Sequence, residues 1–379
     1  VVQIEAGKRA VNSRELEKLA RLFGRGIGEF VNETPFADDP VAALLRAAPQ
    51  SGQSPRLAGE LRRLANIARE ATRLEILLGL RESRPVPAKY DLAAPSSRWD
   101  AVRQGRSLAA DERRRLGLGA APVWEIAEIV RGQGVRVAEA ALNDDISGAS
   151  FFRPDTGPVV LIKDKDALPR RLYSCAHEYC HVLADRDRAG VVSRKENLEE
   201  LIEVRANAFA AHFLMPEDGV RSFLRSFGKG EPSRQNQEVF AEQGSVAVQK
   251  RAEPGSQELQ VHDVVRLAHR FGTSYEAAVY HLLNLGFLTK EQFEVLKSRS
   301  GLASKIRKAL QLPEMTDKMP WTLAEQVLSL ALEAHRRGEI SRRKVLDLAR
   351  ELEVPLKEIE QAISEESNEP EAVDAVIPE

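Results

Sequence analysis

The chain has 379 residues, 43% of them hydrophobic and 30% charged, and 55 Lys and Arg stand against 57 Asp and Glu for a formal net charge of −2. That length supports two or three domains, and a mere two cysteines, Cys175 and Cys180, five apart on one predicted helix, exclude a disulfide framework. Neither a signal peptide nor an apolar run of membrane length occurs, so no membrane association is expected and the cytoplasm is the expected compartment.

The charge is uneven. Residues 1–120 carry 21 Lys and Arg against 15 Asp and Glu, a basic surplus that the rest of the chain reverses. A basic amino-terminal part hints at nucleic acid, and solvated arginines on exposed helix faces are the plainer reading. Within it, Ile4, Gly7 and Ser13 are followed by Leu16, Leu19, Ala20 and Phe23, which reads as the end of one helix, its glycine stop, the cap of the next and that helix's buried stripe. The string from Glu5 to Arg9, with Ser13 and the Leu-x-x-Leu-Ala at 16–20, resembles the second half of a helix-turn-helix domain of the xenobiotic-response-element (XRE) type, with Asn12 where that family usually has proline. The resemblance implies a partial domain at 1–33 whose two leading helices would precede Val1, and leaves Gln3, Lys8 and Arg9 as candidates for DNA contact.

Residues 34–120 read as a helical linker region: loop at 35–52, a long amphipathic helix at 56–81, and a Pro- and Ala-rich connection at 84–97. The stripe Leu57, Leu61, Leu64, Ile67, Ala68, Ala71, Leu74 and Leu78 is expected to pack within the chain, a homodimer surface being the alternative. Two strands follow at 145–153 and 159–162, joined by the turn Pro154-Asp155-Thr156-Gly157-Pro158.

His177-Glu178-Tyr179-Cys180-His181 is an HExxH motif inside a stretch, 170–185, free of Pro and Gly, with Leu172, Ala176, Tyr179 and Leu183 at helical spacing. Residues four apart share a helix face, so both imidazoles can reach one metal ion while Glu178 activates a water. A catalytic zinc site takes a third protein ligand, and the next helical stretch, 196–215, offers Glu199, Glu200 and Glu203.

The segment from Glu203 through Asn207 and Ala210-Ala211 to Leu214-Met215-Pro216 resembles the second motif of the ImmA/IrrE metallopeptidases. The resemblance makes Glu203 the third ligand and sets Asn207 to hold a ligand histidine by a hydrogen bond. Cys180 turns away from the metal as a small buried hydrophobe, His212 lies on the opposite helical face, and Tyr173 is expected in core packing.

Beyond it, 228–260 is polar and reads as loop or linker, and 261–300 as a helical pair packed on the peptidase, with helix-turn-helix spacing of Ala and Gly. A helical bundle spans 301–366, where Ser341 caps one helix and Pro355 opens the last, and 367–379 is an acidic tail. The expected fold is α+β and mainly helical: a zincin-like, gluzincin-type peptidase domain at 121–227 with a short mixed sheet, flanked by helical modules. The expected activity is peptide-bond hydrolysis with Zn2+, Mn2+ being the alternative metal, on a protein substrate that the resemblance implies is an XRE-type repressor. The competing reading is a DNA-binding regulator or antitoxin-like protein that uses the peptidase fold as a sensor.

Overall fold

The computed structural model describes residues 9–23, 55–153, 156–188, 190–230, 234–241, 244–251, 257–315 and 323–366. The chain is mainly helical around a small mixed sheet, an α+β arrangement. Helices α1 (Ser13–Phe23), α2 (Pro55–Leu77), α3 (Arg98–Arg115) and α4 (Ile126–Gly132) precede strands β1 (Arg136–Ala140), β2 (Ile146–Arg153) and β3 (Gly157–Lys163). Then come α5 (Leu168–Ala184), β4 (Gly190–Arg194), α6 (Leu201–Leu214) and α7 (Glu217–Arg225), and the strands β5 (Arg234–Ala241) and β6 (Gly244–Arg251). The helices α8 (Val261–Phe271), α9 (Tyr275–Asn284), α10 (Lys290–Ser298), α11 (Ala303–Ala309), α12 (Leu323–Arg336), α13 (Arg342–Glu351) and α14 (Leu356–Glu366) complete the described chain. Among these residues no helix is long and apolar enough to cross a membrane.

The sheet runs β1-β3-β2-β4, with β1 parallel to β3 and the other pairs antiparallel. Successive strand residues face opposite sides, and here both sides are covered. Val137, Val160 and Ile162 join Leu172, Ala176, Tyr179 and Leu183 of α5 in one core. Ala138, Phe151, Val159 and Leu161 join Leu64, Ala68 and Leu74 of α2 and Val327 and Ala331 of α12 in another. Burial on both faces explains why β3 is continuously apolar rather than alternating. Each of its large side chains contributes roughly 1.5–3 kcal/mol by leaving water. A third core gathers Met215, Val220 and Leu224 with Val264, Phe271, Val279 and Leu282 of α8 and α9.

Polar contacts tie the outer helices to this frame. Arg136 on β1 is fully buried and pairs with Glu75 of α2 at 2.9 Å and with Thr72 at 2.8 Å, and Arg84 reaches the same carboxylate at 3.0 Å. Helix α3 lies so close to α6 that a Cβ on Gly105 would fall 2.3 Å from the Arg205 carbonyl oxygen. The stretch 84–97 is likewise fastened, since the Tyr90 amide donates to Leu183 O at 2.9 Å and its hydroxyl to Glu112 at 2.8 Å. The long helix at 56–81 thus packs within the chain, and the core it joins runs from Leu61 to Ile363, across the boundaries expected from the sequence.

Three local expectations change. Asn12, not Ser13, caps α1: its Oδ1 accepts the Glu15 amide at 2.9 Å while Glu15 accepts the Asn12 amide at 3.3 Å. This is a reciprocal capping box shifted one residue upstream, and Asn is as good an N-cap as Ser. The polar stretch 228–260 contains the antiparallel pair β5 and β6, in register from Arg234 opposite Arg251 to Ala241 opposite Gly244. Val239 and Phe240 face Val246 and Ser245 there, a β-favouring patch that the polar average of the segment conceals. The second helical stretch starts at Leu201 rather than near 196, because β4 and a turn occupy the residues before it.

Candidate metal centre

Helix α5 carries Pro169 in its first turn, where proline is tolerated, and is buried almost all round, so its polar residues must be partnered inside the protein. Helix α6 packs alongside it through Tyr179, Phe209 and Phe213, the last two rings stacked at 5.2 Å. That packing brings Glu203, in the first turn of α6, against His177 and His181.

His177 Nε2 lies 3.3 Å from His181 Nε2 and 3.0 Å from Glu203 Oε2, and His181 Nε2 lies 3.5 Å from Glu203 Oε1. Donors about 2.0–2.1 Å from a tetrahedral zinc ion stand about 3.3–3.4 Å from one another, so the three side chains fit such an ion. The ring orientations agree. His177 Nδ1 faces Asn207 Oδ1 at 3.0 Å and His181 Nδ1 faces Asp185 Oδ2 at 2.8 Å. An oxygen acceptor keeps the proton on Nδ1 and leaves Nε2 bare. Two bare nitrogens and a carboxylate confronting one another in a buried place are reconciled by a cation. The local field favours one: burial works against a proton on His181, yet the Asp185 hydrogen bond and the Glu203 and Glu178 carboxylates raise its pKa. Burial also opposes charge on Glu203, but the His177 hydrogen bond and the neighbouring His181 outweigh it and hold that carboxyl below the usual range.

Glu178 is fully buried beside the cluster, and neither carboxylate oxygen has a hydrogen bond. Burial pushes its pKa up, against the pull of His177 and His181. Its carboxylate lies against β2, where a Cβ on Gly148 would fall 2.6 Å from Oε1.

The arrangement includes groups that the motif did not announce. Asp185 also accepts a hydrogen bond from buried Arg205, burial opposing its charge and His181 with Arg205 lowering its pKa nonetheless. Tyr173, expected as plain packing, donates its hydroxyl to Asn207 O at 3.0 Å and Oδ1 at 3.3 Å and so steadies the residue that holds His177. Ser193, on β4, places its Oγ 3.1 Å from His177 Nε2. Asp185 continues the four-residue spacing of His177 and His181, a signal present in the sequence. Nothing local marks Ser193 or Gly148, which strand pairing delivers.

The remaining candidates fall elsewhere. Glu199 is 80% exposed and paired with Arg98, away from the cluster. Glu200 precedes the first turn of α6. Cys180 is buried, and burial pushes its thiol pKa far up. His212 packs edge-on to His281 at 4.8 Å. Gln3 and Lys8 lie outside the described residues, and Arg9 is in an ion pair with Glu15.

No curated protein matches the chain. Residues 130–283, which contain the whole four-stranded sheet and both motif helices, match the family model described as the IrrE N-terminal-like domain, Peptidase M78, which supports the resemblance to the ImmA/IrrE metallopeptidases.

Proposed function

We propose that the protein is a zinc-dependent endopeptidase, with His177, His181 and Glu203 as metal ligands, and that it regulates transcription by cutting a repressor of the XRE helix-turn-helix class. The observation that carries this reading is the convergence of three donors at tetrahedral spacing beside a buried, unpartnered carboxylate. Mn2+ is the alternative metal for the same donors.

Zinc, when bound, supplies a Lewis acid that polarises the scissile carbonyl and acidifies water. Glu178 takes the water's proton and returns it to the leaving amine, a double duty that suits a carboxyl whose pKa burial has raised. Asn207 and Asp185 hold the two imidazoles with Nε2 inward. The repressor substrate comes from the family resemblance.

The test incubates zinc-loaded protein with helix-turn-helix repressors encoded nearby and, in parallel, titrates it against DNA of its own promoter at physiological salt. Cleavage by the parent, lost in Glu178→Gln with metal content unchanged, is expected. Tight operator binding that survives Glu178→Gln, with no repressor cut, would make the protein a regulator instead.

A further inference from the structure

Three features of β4 converge on Ser193. The residue is buried, its Oγ is 3.1 Å from His177 Nε2, and that spacing equals the separations among the three ligand atoms themselves. The backbone around it is fastened on both sides: Asn197 accepts from the Arg194 amide and donates to Val192 O, each at 2.8 Å, and Ser147 Oγ donates to Ser193 O at 3.2 Å. Lastly, β4 is an edge strand of five residues, paired on one side with β2, and the register shifts between Ile146 and Gly148 where Ser193 enters the site.

In this conformation His177, Glu178, His181 and Glu203 are all buried. A protein hydroxyl thus stands at ligand spacing from His177 Nε2.

Resting on the metal-centre reading above, we propose that Ser193 Oγ is the fourth ligand in this conformation, so that β4 is a latch closing the site. A catalytic zinc site keeps its fourth position for water, whereas one closed by four protein ligands is inert. The protein as folded here is therefore latent. It becomes active when β4 draws away from β2, which takes the Ser193 hydroxyl out of the fourth position. A short edge strand with a register shift is the part of a sheet most readily detached.

Cobalt substitution of the full chain tests this with a readout other than proteolysis. The parent, Ser193→Ala and Ser193→Cys are each loaded with Co2+ after circular dichroism confirms an unchanged fold. Ser193→Cys is expected to show a near-ultraviolet thiolate-to-cobalt charge-transfer band absent from the parent. Ser193→Ala is expected to bind azide, seen as a shift of the visible cobalt bands, at roughly tenfold lower concentration than the parent. A cobalt-loaded Ser193→Cys without the band, or coincident azide titrations of Ser193→Ala and parent, would overturn the fourth-ligand assignment while leaving the three-ligand centre standing. Failure of all three proteins to bind cobalt would remove both.

Discussion

Asp185 accepts the Nδ1 proton of His181 at 2.8 Å, one helical turn beyond it, and through that contact turns Nε2 toward His177 and Glu203. Asn207 does the same for His177 from the neighbouring helix. Partners of this kind typically contribute 10–100-fold to metal affinity. Asp185→Asn and Asn207→Ala should therefore each weaken zinc binding by roughly tenfold or more, read by competition against a chromophoric chelator. Parental affinity in both variants would mean that packing alone orients the rings.

Glu203, within α6, and Glu199, before it, should separate cleanly. Glu203→Ala removes a donor from the centre and should cut zinc content from about one per chain to near zero. Glu199→Ala breaks an exposed pair with Arg98 and should leave the metal in place. Metal analysis of the purified variants decides, and equal loss in Glu199→Ala would contradict the ligand set.

Gly148→Ala should impair hydrolysis without unfolding the protein. The new methyl would fall 2.6 Å from Glu178 Oε1 and 2.9 Å from its Cγ, so that side chain must shift. A displaced base forfeits part of the roughly 10²–10⁴-fold that general base catalysis contributes. The expected result is a fall in kcat of at least tenfold, with parental thermal stability and zinc content. Full activity would show that Glu178 need not sit where β2 puts it.

Acid should loosen the junction between α6 and α9. His281 donates from Nε2 to Met215 O at 2.8 Å, and burial lowers its pKa from 6.5 to about 4; burial and then His281 lower that of His212 to about 3. A depressed histidine contributes stability above its unfolded pKa and loses it as the pH falls through the folded one. The window is thus below about pH 6.5, down to about 4. Melting temperatures at pH 7 and pH 4.5 should fall further in the parent than in His281→Gln, by the equivalent of on the order of 2 kcal/mol. An identical acid shift in both would acquit His281.

What the sequence could reveal followed from how far each contact reaches along the chain. The pair His177 and His181 was legible because one helix sets their spacing, and the strands of the hairpin at 146–163 because alternation and a Pro-Gly turn are local signals. Arg136 and Glu75 are 61 residues apart, and nothing near either residue foretells that they meet. Likewise β4 is five residues without a strong pattern, and only its pairing with β2 makes Ser193 part of the centre. The resemblance covered the motif helices and was silent on α2 and α12, which cover the far side of the sheet.

That far side governs how the protein can be made. Phe151, Val159 and Leu161 are covered by helices from both ends of the described chain, α2 and α12, so a ribosome must release residues beyond 331 before the sheet is sealed on that side. Until then a bare apolar sheet face would recruit chaperones or neighbouring chains. A protein whose sheet is sealed only once α12 has emerged has little chance to act on anything while residues up to 331 are still being translated. An excised fragment spanning 121–227 would be insoluble for the same reason, whatever metal it was offered.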